Sequence, residues 1–92
     1  MILAKATLVA GPRHDKYAPG TSLPALLFVN VQTSDELDEA ASRELTLLGW
    51  ATMAIERYKD VTNSDQFDGK DTPEASAFRD AQETGFGVVV YP

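Results

Sequence analysis

The stretch GWATMAIERYKDV, residues 49–61, decides the fold predicted for this chain. Apolar residues recur in it at helical spacing, through Ile55 and Tyr58, which is consistent with an extension of the helix predicted before it. Gly49, however, is typical of the position directly after a helix. The residues that follow are rich in the aromatic and β-branched types that favour strands. We therefore predict a strand over residues 50–61, with the helical extension as the alternative.

Two more strands are predicted before this one. In residues 2–10 apolar side chains recur at every second position, which is the period of a strand. The pair Gly11-Pro12 ends that pattern, because proline lacks the ladder donor. A loop over residues 11–24 is long for a compact domain, and such loops are often functional or mobile. The second strand is predicted over residues 25–32.

The first helix is predicted from its capping signals. Thr33 and Glu36 have the spacing of a capping box, and acidic residues follow where the positive end of the helix dipole favours them. Gly49 is the predicted C-terminal cap. One apolar stripe recurs at helical spacing and is formed by Leu37, Ala41, Leu45 and Leu48.

A second helix and a last strand are predicted at the C-terminal end of the sequence. Thr72 is a typical N-cap, and Pro73 suits the first helical position. Gly85 is the predicted C-terminal cap. The apolar stripe of this helix is thin, since it consists of Ala75, Phe78 and Ala81. A strand over residues 86–91 completes the chain.

These elements predict one α+β domain over residues 1–92, with the order β-β-α-β-α-β. Right-handed crossovers place both helices on the same side of a sheet. We therefore expect a two-layer sandwich, with a four-stranded mixed sheet and two helices on one face. This resembles ferredoxin-like folds in architecture, although the element order differs from βαββαβ.

The composition limits the binding partners and the cellular location that we expect for this protein. The net charge is −6, from 14 acidic and 8 basic residues, and the basic residues are scattered, so nucleic acid is not an expected partner. Absence of cysteine excludes disulfides, thiol catalysis and cysteine-ligated metals. No signal peptide or stretch of membrane-spanning length is present, so we expect no membrane partner and a cytoplasmic location.

Two loops carry candidate chemistry. His14 is the only histidine, and with Tyr17 in the first loop it is a candidate for a general base or ligand contact, against the simpler interpretation of a solvated loop. An acidic loop runs from Asp60 to Glu74. Aligned on Gly69, it lacks the bidentate acid of an EF-hand. We expect no metal and no cofactor, and no catalytic residue is assigned.

The most informative candidate is one face of the sheet. Strict alternation would place large apolar side chains on the face turned away from the helices, where a solvated sheet should be mostly polar. Such patches often mark interfaces. The candidate interface or ligand residues on this face are Leu26, Phe28, Asn30, Trp50, Glu56 and Tyr58. The alternatives are that alternation fails in one strand, or that the first loop covers the face.

Three functions are compatible with these residues. The first is a non-enzymatic binding or regulatory module that forms a homo-oligomer, in the simplest case a dimer, through the apolar sheet face, with a further protein partner possible. The second is a small enzyme or ligand-binding protein with a pocket at the sheet face or subunit interface. The third is an acidic inhibitor of a nucleic-acid-binding protein, which would mimic the charge of DNA.

Overall fold

The computed structural model describes residues 1–61 and 72–91. They form an α+β fold with four strands and two helices, in the order predicted. The elements are β1 (Ile2–Ala10), β2 (Ser22–Val29), α1 (Ser34–Leu47), β3 (Trp50–Asp60), α2 (Pro73–Thr84) and β4 (Phe86–Val90). The prediction that a strand begins at Trp50 is confirmed. Neither helix of this described part has the length and hydrophobicity of a membrane-spanning segment.

The helix termini follow the local sequence signals. Thr33 Oγ1 accepts a hydrogen bond from the backbone N–H of Glu36, which is one of the two bonds of a capping box, and the hydroxyl donates to the Glu36 carboxylate. Thr72 Oγ1 accepts from the N–H of Ala75 at the start of α2. Gly49 and Gly85 have φ of +95° and +96°, the left-handed conformation that ends a helix without steric cost.

All four strands are antiparallel, in the spatial order β3-β1-β2-β4. The prediction of a mixed sheet is wrong, because every neighbouring pair of strands is antiparallel. β3 pairs with β1 on the side away from β2. The likeness to ferredoxin-like folds does not extend beyond the α+β class. The second strand also begins earlier than predicted. Pro24 is accommodated in β2 because its backbone faces the position just beyond the end of β4, where its missing N–H interrupts no bond within the strand. Its carbonyl accepts a hydrogen bond there from the N–H of Tyr91.

The first core lies between α1 and the face of the sheet that carries the even-numbered residues of β1; we call this the α1 face. Helix residues Leu37, Ala41 and Leu45 are buried there. The strand residues of this core are Ile2, Ala4, Ala6, Leu8, Ala10, Ala25, Leu27, Val29 and Trp50. Three of the five β1 residues in this core are alanines.

The second core lies on the opposite face, the α2 face, where α2 packs on β2 and β4. Phe28 of β2 meets Phe78 of α2 edge to face, with ring centroids 5.9 Å apart. A β-carbon on Gly87 would overlap the carbonyl group of Ala77, so only glycine allows α2 to lie this close to β4. The predicted placement of both helices on one face is therefore wrong. The described residues form three layers, with one helix on each side of the sheet.

Tyr91 ties the end of β4 to the start of α2. Its hydroxyl donates a hydrogen bond of 2.7 Å to Oε1 of Glu74, which lies in the first turn of α2. Burial, together with this bond and the charge of Glu74, raises the pKa of Tyr91 to about 12. The bond from Tyr91 also lowers the pKa of the Glu74 carboxyl.

We predict that Tyr91→Phe lowers the free energy of unfolding at neutral pH and removes an ionisation step near pH 12. Because the folded pKa of Tyr91 is raised, its contribution is full below the ordinary value of 10.0 and is lost as the pH rises toward 12. Because the pKa of Glu74 is lowered from 4.5, its contribution is present above that value and is lost as the pH falls through the folded pKa. Stopped-flow ultraviolet titration of tyrosinate records the step before alkaline unfolding. A wild-type protein with no tyrosine ionisation near pH 12 would contradict the raised pKa of Tyr91.

Candidate anion-binding site

The predicted outer face is divided between the two sides of the sheet. Phe28 is fully buried beneath α2, and Leu26 is partly buried beside it. Trp50 is buried on the α1 face. Tyr58 is 53% exposed and pairs with Ala4, a residue of the α1 face. The hypothesis that these four side chains share one apolar surface is wrong.

The division arises from two irregularities in β3. Ala6 of β1 pairs with Ile55 and Lys5 pairs with Arg57, so Glu56 is an extra residue in β3. A second extra residue, Ala51, lies near the start of the strand. Each bulge reverses the alternation of the side chains that follow it.

The consequence is that the two faces exchange residues along β3. Trp50 and Tyr58 lie on the α1 face together with Met53 and Ile55, although their sequence positions have the opposite parity. In their place, the positions opposite Leu3 and Lys5 on the α2 face are occupied by Lys59 and Arg57.

The loop candidates pack together as a structural cluster. The His14 ring lies 4.3 Å from the Trp50 ring and 5.2 Å from that of Tyr17, so the first loop covers Trp50. Nδ1 of His14 accepts hydrogen bonds from the backbone N–H groups of Lys16 and Tyr17 at 3.1 and 3.2 Å. One imidazole nitrogen is thus used to hold the loop, and no carboxylate orients the ring in the described residues.

The remaining predicted residues lie apart from one another. Asn30 is exposed beyond the end of β2, where its backbone N–H donates to the carbonyl of Gly85. Glu56 is exposed at the bulge. Most of the acidic loop, including Gly69, lies outside the described residues. Among the described residues, no group of His, Asp and Glu side chains is arranged to hold a metal ion.

A cleft lies on the half of the α2 face that α2 leaves uncovered, over β1 and β3. Its volume is about 440 Å³. Three of the eight basic residues of the chain point into it from two strands. We call it the basic cleft, and it is lined by Leu3, Lys5, Leu26, Arg57, Tyr58 and Lys59.

The basic cleft contains like charges at opposed positions of neighbouring strands, where sheets usually have opposite charges. Lys5 lies directly opposite Arg57, and Leu3 beside it lies opposite Lys59. Like charges in directly opposed positions destabilise a sheet. Within residues 1–61 and 72–91, none of the three cations forms an ion pair with a carboxylate. Positive charge is therefore concentrated in this part of a protein whose net charge is −6.

The lining of the basic cleft determines what it can do chemically. Guanidinium and ammonium groups donate charge-assisted hydrogen bonds to carboxylate, phosphate or sulfonate oxygens. Leu3 and Leu26 supply apolar surface beside those donors. Among the described residues, the lining consists of cationic and apolar side chains together with Tyr58. The arrangement suits the binding of an anion with an apolar body.

Comparison of the chain with protein-family models, with curated proteins and with solved structures found no significant match.

We predict that Lys5→Glu stabilises the protein, because it replaces a repulsive cross-strand pair with an attractive one. The expected gain in the free energy of unfolding is about 0.2–1 kcal/mol, the range for cross-strand pairs. Urea unfolding measures it. Arg79→Glu, at an exposed position of α2, is the matched control because it changes the net charge equally. A Lys5→Glu variant that is less stable than the Arg79→Glu variant would contradict the repulsion between Lys5 and Arg57.

Proposed function

We propose that the protein is a small non-enzymatic binding module that holds an organic anion in the basic cleft. The observation that carries this proposal is the opposed pair Lys5 and Arg57, with Lys59 beside it and no ion-pair partner for any of the three in the described residues. This is the ligand-binding alternative considered from the sequence, relocated to a charged half of the sheet face.

Energetics support a functional origin for this cluster. The chain has 14 acidic residues, so neutralising partners were available in its composition. A bulge at Glu56 instead turns Arg57 and Lys59 toward Lys5. Bulges are frequent beside functional sites, where they redirect side chains. Local arrangements that reduce stability without a packing benefit are expected mainly at functional sites.

The dimensions of the cleft favour a small ligand. Small-molecule sites have volumes of roughly 300–1,000 Å³, and the basic cleft, at about 440 Å³, lies in the lower part of that range. Its three cations favour a ligand with two or more anionic oxygens, and its apolar wall favours an aromatic or aliphatic body. Nucleic acid remains a poor candidate, because the net negative charge opposes a phosphate polymer that extends beyond the cleft.

A fluorescence titration with anilinonaphthalene sulfonate, an aromatic anion, tests the proposal. The test variant is Lys5→Gln/Arg57→Gln, which removes two charges while keeping polar side chains. Hydrogen bonds to charged groups contribute roughly 1.5–3 kcal/mol each, so losing them should weaken binding at least about tenfold. The matched control, Arg43→Gln/Arg79→Gln, removes two exposed helical charges and should bind within about twofold of wild type.

A competition arm separates charge recognition from apolar adhesion. Naphthalene disulfonate should displace the probe from wild type, and the neutral naphthalenemethanol should not. Circular dichroism confirms that each variant is folded, because the probe also binds partly unfolded protein. Equal affinity in all three proteins, or equal displacement by the neutral compound, would refute the basic cleft as an anion site.

A further inference from the structure

The two edges of the sheet differ in their protection against pairing with another strand. Natural proteins protect free edges with charges, prolines and bulges. The β3 edge has two bulges and charged side chains at Glu56, Arg57 and Lys59. By contrast, β4 has the sequence Phe-Gly-Val-Val-Val, with no charge, proline or bulge. An edge of that kind is expected to be covered in the functional protein.

Backbone geometry identifies which groups of β4 point outward. The N–H of Tyr91 donates to Pro24 of β2, and the carbonyl of Gly85 accepts from Asn30 beyond β2. Alternate residues of an antiparallel strand bond to the same neighbour. Gly87 and Val89 therefore also face β2. The residues whose N–H and C=O groups face away from it are Phe86, Val88 and Val90.

Most of these outward groups lack an internal partner. The carbonyl of Phe86 accepts a hydrogen bond of 3.2 Å from Thr84 Oγ1. In the described part of the chain, the outward N–H of Phe86 and the outward groups of Val88 and Val90 have none. Three alternate residues with outward backbone groups, Phe86, Val88 and Val90, are enough to form a short antiparallel ladder.

Apolar side chains flank this edge on the α1 face. Leu47 and Leu48, at the end of α1, are 77% and 51% exposed. With Phe86 and Val88 they line a groove of about 500 Å³, whose polar rim includes Glu44. A strand added to β4 would therefore bury apolar side chains as well as pair backbone groups.

We infer that the occupant of this edge is a second copy of the chain, joined through antiparallel β4–β4 pairing centred on Val88. The two-fold axis places Phe86 of each protomer opposite Val90 of the other. The result is a continuous eight-stranded sheet across the dimer. Each copy supplies the same edge and the same flanking leucines, so both partners of the interface are already present in this sequence.

Charge distribution along the groove favours this antiparallel self-pairing. Glu44 and Asp80 lie at the Phe86 end of the groove. Lys16 lies at the Val90 end, in an adjoining groove that shares Leu48. Antiparallel pairing brings the acidic end of one protomer beside the Lys16 end of its partner. Opposite charges across an interface set its register and orientation.

Light scattering coupled to size-exclusion chromatography tests this inference. Wild type should have twice the monomer mass of 10.0 kDa at high micromolar concentration. Leu47→Glu/Leu48→Glu, at two exposed positions, should give the monomer mass. Val90→Pro should do the same, because it removes an outward N–H and leaves the β2–β4 bonds intact. Tyr58→Glu is the matched control, since it places a charge at an exposed aromatic residue of the other edge and should remain dimeric.

Amide hydrogen exchange provides a readout that needs no variant. The N–H groups of Val88 and Val90 should be protected in wild type at high concentration and should lose protection on dilution. A wild-type mass of 10.0 kDa with rapid exchange at these amides would overturn the inference. So would a dimer that persists in both edge variants or dissociates in Tyr58→Glu. The Leu47/Leu48 and Val90 variants lie away from the basic cleft, so their outcomes do not bear on the proposed ligand site.

Discussion

The extra residue at Glu56 in β3 determines which side chains each face of the sheet presents. Side chains of a strand alternate between faces, so one inserted residue reverses the orientation of everything beyond it. Here it turns Arg57 and Lys59 toward Lys5, and Tyr58 toward α1. The charge of the α2 face, the basic cleft and its proposed ligand class all depend on this local irregularity.

The helices lie on opposite faces of the sheet and pack on different sets of strands. On one face α1 packs on β2 and β3, and on the other α2 packs on β2 and β4. Each face keeps an open part, and the two open parts differ in chemistry. The cleft over β1 and β3 is cationic, whereas the groove beside β4 has exposed leucines with an acidic rim. The proposed ligand site and the proposed dimer edge therefore lie on separate surfaces, so a change in one need not disturb the other.

Local signals in the sequence were sufficient to predict the elements. Gly49 ended the first helix and allowed the strand that begins at Trp50, and the caps at Thr33 and Thr72 set the helix starts. Such signals involve neighbouring residues and are therefore visible in the sequence. The strand order was not visible, because it depends on where β3 returns relative to β1.

The candidate site was predicted less well than the elements. Strict alternation placed Phe28, Trp50 and Tyr58 on one surface, but the bulges have no glycine or proline to mark them, and Phe28 is covered by α2. The apolar stripe of α2 is thin in the sequence, although together with Gly87 its small residues indicate close packing on β4. Lys5 and Arg57 belong to strands far apart in the sequence. The sequence therefore did not predict that these basic residues form a cluster.

A disulfide cross-link tests the orientation of β3 most directly, since the chain has no cysteine of its own. A disulfide requires Cα atoms about 4.4–6.8 Å apart and β-carbons directed toward each other. Lys5→Cys/Arg57→Cys places two cysteines opposite each other on the α2 face, whereas Lys5→Cys/Tyr58→Cys places them on opposite faces. Mild oxidation of the dilute protein, followed by mass spectrometry, should show an intramolecular disulfide in the first variant and free thiols in the second. A disulfide in the Tyr58 variant, with free thiols in the Arg57 variant, would contradict the bulge and the basic cleft built on it.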